Sequence, residues 1–126
     1  PKLTTNSYKT TALILAVEQI KIENVIQNLD LVRMQDENGM TALMYSAKNQ
    51  SLECALLLAT QEAKIQDNLG NTALMYAVKT NSVEIVRLLS PFETNIFNNN
   101  GANALHIALQ LKCDNEILKI LKKFEL

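Results

Sequence analysis

The chain has 126 residues, of which 48% are apolar and 20% charged, and its formal net charge is −1. This size and composition are typical of one folded domain, and no apolar run approaches the roughly 20 residues that cross a bilayer. The slight negative charge gives nucleic acid no electrostatic attraction, and two cysteines are too few for a disulfide framework. We therefore expect no nucleic-acid or membrane partner and a reducing, cytoplasmic setting.

The sequence repeats at a fixed interval. The block Thr-Ala-Leu-Met at 41–44 returns at 72–75 and, as Asn-Ala-Leu-His, at 103–106, while a weaker copy, Thr-Ala-Leu-Ile, lies upstream at 11–14. A period of this size, about 31 residues, indicates a stack of repeat units rather than a closed globule. We predict one all-α domain over residues 1–126, with four helix-turn-helix units at approximately 6–35, 36–66, 67–97 and 98–126.

The first predicted unit departs most from the pattern. Its second helix has Asn24 and Gln27 where later units are apolar, so the unit is either an N-terminal cap or a degenerate unit next to further repeats. In the second case an exposed apolar flank could drive self-association, although we expect a monomer. Because the chain opens on Pro1, we also expect it to be a fragment of a longer protein.

The spacing of apolar residues predicts two short helices in each of the next two units. Their apolar faces consist of Leu43, Met44 and Ala47, then Leu52, Leu56 and Leu57, and one unit later of Leu74, Met75 and Val78, then Val83, Val86 and Leu89. We predict Thr41, Thr72 and Ser82 as N-caps, since each directly precedes one of these helices. Helices of about two turns are unstable alone, so stacking of the units must stabilise them.

The last unit differs in two respects. It carries one extra residue near Cys113, in the turn between its helices. Its final turn is polar, with Lys122, Lys123 and Glu125. Such an ending favours a C-terminal cap, because the outermost unit of a stack needs a polar outer face.

The segment Asp36-Glu37-Asn38-Gly39-Met40 leads into the block at 41–44, and the segments 67–71 and 98–102 lead into the later blocks in the same way. These loop segments, with the two short helices that follow each of them, resemble the ankyrin repeat. The resemblance covers nearly all of the chain, although alanine replaces the family's proline in every unit and its histidine survives only as His106. It implies helix-turn-helix units joined by hairpin-like loops in a curved stack with a concave face.

His106 and Cys113 are the residues that most invite a chemical role. They could form a thiolate–imidazole pair, but no third group is placed to orient the imidazole, and zinc takes three or four ligands. The position of His106 in the repeat block and of Cys54 on an apolar helix face favours structural roles. We expect no catalytic residue, metal or cofactor, and hence no enzyme.

In this family, loop tips and first helices face the partner, and the resemblance therefore implies a set of partner-binding positions. They are Tyr8, Glu37, Asn38, Met40, Tyr45, Lys48, Asn68, Leu69, Asn71, Tyr76, Lys79, Asn99, Gln110 and Leu111. Tyr45 and Tyr76 either form a partly exposed aromatic ladder or pack between units with only their hydroxyls in water. The mixed polarity favours a protein or peptide partner, so we predict a protein-interaction scaffold. The alternatives are an accessory or regulatory domain of a larger enzyme, such as a protein kinase, and a structural spacer.

Overall fold

The computed structural model describes residues 33–124. That range contains six α-helices and no β-strand: α1 (Ala42–Lys48), α2 (Leu52–Glu62), α3 (Ala73–Lys79), α4 (Val83–Glu93), α5 (Ala104–Leu111) and α6 (Asn115–Phe124). The predicted all-α architecture is confirmed. Residues 6–32 of the first predicted unit, which include Tyr8, and the C-terminal Glu125 lie outside the described residues. None of the described helices has the length and apolar content that a membrane span requires.

The first helix of each unit begins at a side-chain cap. The Thr41 and Thr72 hydroxyls accept the N–H groups of Met44 and Met75, each at 3.3 Å, as predicted. These bonds satisfy backbone donors that have no partner within the helix. Ser82 is the N-cap residue of α4, as predicted, but its hydroxyl makes no capping bond and lies 2.9 Å from the Thr80 hydroxyl.

The core follows the first helices through the stack. α1 packs on α3 and α3 packs on α5, while each first helix also packs on the second helix of its own unit. Leu43 and Leu74 are fully buried, and so are the small residues Ser46, Ala77 and Ala108. Small side chains at these equivalent positions permit the close approach of successive units.

The predicted apolar face of α2 is only partly correct, because Leu52 and Leu57 are half-buried against the core and Leu56 is not. Leu56 is 58% exposed, and the buried face of α2 is formed by Cys54, Ala55, Leu58 and Ala59. A spacing of three or four residues places Cys54, Leu58 and Ala59 toward α1, whereas Leu56 points to the other side. The interpretation of Cys54 as a buried small apolar residue is confirmed.

Two buried glutamates each join the end of a second helix to the backbone of the first helix of the same unit and to the loop before that unit. Glu93, at the end of α4, is 1% exposed, and its two oxygens accept the N–H groups of Leu74 at 2.8 Å and Lys64 at 2.7 Å. Glu62, at the end of α2, accepts the two equivalent N–H groups one unit earlier, both at 2.7 Å. Burial raises the pKa of both glutamates, that of Glu93 to about 7, although the N–H donors act in the opposite direction.

Candidate partner-binding face

The loop before each first helix is shaped by one side chain. In the second unit, Asp36 Oδ1 accepts the N–H groups of Asn38 and Met40, both at 2.9 Å. Asp67 and Asn98 accept the equivalent pairs of N–H groups in the next two loops. The three loops therefore have the same conformation and present their tips in the same direction.

Neighbouring loops are joined to one another at their tips. The Asn68 N–H donates to the Asn38 carbonyl, and the Asn99 N–H donates to the Leu69 carbonyl, both at 3.0 Å. The side-chain amides add to this, since Asn68 Nδ2 donates to the Glu37 carbonyl and Asn99 Nδ2 donates to the Asn68 carbonyl, again at 3.0 Å. Asn68 and Asn99 are thus exposed, but their side chains already hold adjacent loops together.

Tyr45 and Tyr76 combine the two arrangements considered from the sequence. Their rings are half-buried, and their hydroxyls donate to the carboxylates of Asp36, at 2.6 Å, and Asp67 instead of pointing into water. Burial, followed by the Asp67 carboxylate, raises the pKa of Tyr76 to about 12. Because of this raised pKa, the Tyr76 phenol stays protonated and acts as a hydrogen-bond donor at neutral pH. Each tyrosine ring also lies beneath a lysine one turn further along its helix.

Met40 and Asn71 are not at the surface where the sequence placed them. Met40 is 6% exposed and Asn71 is 3% exposed. The loop of the following unit stacks on each of them, and Asn71 Oδ1 accepts a hydrogen bond from Asn98 Nδ2 at 3.0 Å. Both residues therefore belong mainly to the contact between units, and little of either side chain is exposed.

The remaining predicted positions in the described part are exposed or half-buried, and we call this set of loop-tip and first-helix residues the concave face. It consists of the half-buried Tyr45 and Tyr76 and the exposed Glu37, Asn38, Lys48, Asn68, Leu69, Lys79, Asn99, Gln110 and Leu111. The Nζ atoms of Lys48 and Lys79 lie 5.9 Å and 5.3 Å from the centres of the Tyr45 and Tyr76 rings. Cationic, amide and apolar groups are thus interspersed on this face.

Two clefts open on the concave face, each between adjacent units. The smaller, of about 330 Å³, is lined by Asn38, Met40, Asp67, Asn68, Leu69 and Tyr76. The larger, of about 490 Å³, is lined by Lys79, Asn98, Asn100, Ala102, Ile107, Gln110 and Leu111. Each cleft is therefore bounded by loop residues on one side and by a first helix on the other.

His106 and Cys113 occupy sites that suit structure rather than chemistry. His106 Nδ1 accepts the Asn103 N–H at 3.3 Å, while Asn103 Oδ1 accepts the His106 N–H at 2.9 Å, which together cap α5. Cys113 Sγ donates to the Val78 carbonyl at 3.4 Å. Burial, with a smaller contribution from Asp114, raises the pKa of the Cys113 thiol, whereas a nucleophilic cysteine needs a lowered one. Within residues 33–124 no group of His, Cys, Asp and Glu side chains could hold a metal ion.

Sequence analysis missed the buried glutamates. Glu62 and Glu93 lie one repeat period apart, at the same distance in sequence after the threonine caps Thr41 and Thr72 of their units. That repetition was the available signal, but charged residues are almost never fully buried unless they are paired, and the backbone partners are far away in sequence. In the last unit the extra residue shifts the register, which brings Glu125 to the corresponding sequence position.

Comparison with known proteins supports the repeat architecture. A family model described as ankyrin repeats (three copies) matches residues 1–68 and 56–125. No curated protein shows a significant match to the chain. The two matched segments together span nearly the whole sequence, and the described helices have the paired arrangement that these repeats require. The chain belongs to the ankyrin-repeat family.

Proposed function

We propose that the chain binds a protein or peptide partner through its concave face and has no catalytic activity of its own. The observation that carries the proposal is Leu69, which is 64% exposed at a loop tip beside a cleft. Its backbone is fully used within the stack, because its N–H donates to Asp67 and its carbonyl accepts the Asn99 N–H. The apolar side chain is thus held rigidly in water, where burial by a partner would be favourable.

The chemistry of the rest of the face supports the same function. Leu111 is 52% exposed at the end of α5, and the tyrosine rings offer large apolar surfaces at low entropic cost. Exposed lysines and amides surround these groups, as in the polar rim of a protein interface. Ankyrin repeats are in general protein-interaction modules, and this surface has the mixture of rigid apolar anchors and hydrogen-bonding groups that such modules use.

The proposed setting is the cytoplasm, with the chain acting as a monomer. Cys54 and Cys113 are both free thiols, which suits a reducing compartment. Light scattering across a range of protein concentrations tests the monomeric state. A mass that rises with concentration would contradict it.

The binding proposal is tested by affinity capture from a lysate of the source cell. The native chain is compared with Leu69→Asp, which alters the concave face, and with Leu56→Asp, which makes the same change at an exposed leucine on α2. We expect a protein that the native chain and Leu56→Asp retain and that Leu69→Asp loses, with all three chains giving the same circular dichroism. Equal retention by the three chains, or no specific retention, would contradict the proposal.

A further inference from the structure

The larger cleft lies where the last unit departs from the repeat at two positions. Ile107 occupies the position of Tyr45 and Tyr76, and Asn98 occupies that of Asp36 and Asp67. In the two earlier units the tyrosine ring reaches across the face and its hydroxyl donates to the aspartate. Isoleucine is shorter and has no hydroxyl, so the space that a ring would fill is open.

The lining of this cleft is apolar at its base and carries a single charge. Ala102, Ile107 and Leu111 contribute the apolar surface, while Lys79 is the only charged residue among those that line the cleft. Both ion pairs within residues 33–124 involve Arg87, so no carboxylate of that range neutralises Lys79. The cleft is therefore locally cationic in a chain whose net charge is −1.

The exchange of aspartate for asparagine contributes to this local charge. In the smaller cleft the Asp67 carboxylate forms part of the wall, so a ligand carboxylate there would meet a like charge. Asn98 removes that charge from the larger cleft, and its amide is directed to Asn71 in the preceding loop. Of these two clefts, the larger is thus the one that can accept an anionic group beside an apolar one.

We propose that the larger cleft binds a partner peptide in which a large apolar side chain is next to a carboxylate. The apolar side chain enters between Ile107 and Leu111, and the aspartate or glutamate beside it pairs with Lys79. The exposed amides of Asn100 and Gln110 at the rim are available to the peptide backbone. This inference rests on the proposed function, because it specifies the chemistry of the partner for the same face.

The test is a selection of random dodecapeptides displayed on phage, with the 126-residue chain as bait. The affinities of selected peptides are then measured by fluorescence anisotropy for the native chain and its variants. Ile107→Tyr fills the cleft with the residue that the equivalent positions carry. Lys79→Glu reverses the charge at its rim, and Lys119→Glu makes the same change at an exposed lysine of α6, outside the concave face. Circular dichroism verifies that each variant is folded. If Ile107→Tyr folds poorly, Lys79→Glu still tests the proposal, because Lys79 is exposed and its replacement should leave the fold intact.

The proposal predicts peptides enriched in an apolar residue adjacent to Asp or Glu. We expect Ile107→Tyr and Lys79→Glu each to weaken their binding at least about tenfold, and Lys119→Glu to change it by less than about twofold. Basic peptides, binding that both cleft variants leave intact, or a selection without specific peptides would overturn the inference. If Leu69→Asp abolishes peptide binding and Ile107→Tyr does not, the inference about the larger cleft is overturned and the proposal for the concave face is supported. If none of these variants changes peptide binding, both proposals are contradicted.

Discussion

A Cβ atom at Gly70 would lie 2.6 Å from the backbone nitrogen of Asn99 in the next loop. Gly39 has the same relationship to the nitrogen of Asn68, at 2.7 Å. Gly70 also has a φ of +82°, a conformation that side chains other than glycine rarely adopt. Gly101 has a similar φ of +76°, but within the described residues nothing lies within 4 Å of its Cβ position. Gly39 and Gly70 are thus required for two reasons, their positive φ and the close contact with the backbone of the next loop.

This contrast separates backbone strain from the contact between units. We expect Gly101→Ala to lower the free energy of unfolding by about 1 kcal/mol through its positive φ alone. Gly70→Ala should cost about 1 to 3 kcal/mol more, because the Asn99 loop must also move away. Urea denaturation followed by circular dichroism measures both values. Equal losses would show that the loop yields without cost.

The stability of the array should depend on pH through Glu93. The pKa of this group is raised from 4.5 to about 7 by burial, so the folded chain holds the proton over a range where the unfolded chain has released it. The stabilisation that the protonated group provides is complete below pH 4.5 and is lost as the pH rises through 7. We therefore expect the free energy of unfolding to fall between pH 5 and pH 8.

The variant Glu93→Gln isolates this contribution. The glutamine does not titrate. The unfolding free energy of the native chain, measured relative to that of Glu93→Gln, should therefore fall by about 3 kcal/mol as the pH rises across that range. Urea denaturation at intervals of one pH unit gives the comparison. A difference that stays constant with pH would place the pKa of Glu93 near its ordinary value.

Asn103 offers a stabilising substitution. Its Nδ2 is buried and, among the described residues, finds no hydrogen-bond partner, while its Oδ1 caps α5. Threonine, present at the equivalent positions 41 and 72, retains a capping oxygen and removes the unsatisfied donor. We expect Asn103→Thr to raise the free energy of unfolding by about 1 kcal/mol, as measured by thermal denaturation. The reverse exchange, Thr72→Asn, should lower it, and a gain from both would refute the explanation.

Leu74 should be among the most important residues for packing. It is 0% exposed between successive units, so Leu74→Ala should cost about 2 to 5 kcal/mol of unfolding free energy. Leu56→Ala, at an exposed leucine, should change it by less than about 0.5 kcal/mol. Chemical denaturation of both variants checks the pair. A small loss at Leu74 would mean that the stack closes over the cavity.

The sequence predicted those features that depend on the repeat itself. The period aligns equivalent residues, so the threonine caps at 41 and 72 and the paired helices of each unit could be assigned by position. The helix face of α2 was harder, because Leu56 and Leu57 are as apolar as Leu58 and only the packing direction distinguishes them. An apolar run in a helix shows that one side is buried without showing which side.

The candidate site was only partly predictable because its geometry depends on neighbouring loops. Met40 and Asn71 lie at variable positions of the repeat, and their burial follows from the loop of the next unit along the chain. Glu62 and Glu93 have polar side chains that would ordinarily be assigned to the surface, and their N–H partners are 19 to 29 residues away. Such relationships become visible only when the units are stacked.

The change from tyrosine at 45 and 76 to isoleucine at 107 has a consequence for how a partner is aligned. A uniform array has equivalent binding sites one unit apart, so an extended ligand could shift along the stack by one unit and make the same contacts. In the binding mode that we propose, the two positions that differ, Asn98 and Ile107, remove this translational degeneracy. A ligand anchored beside them would have one register and one direction along the stack.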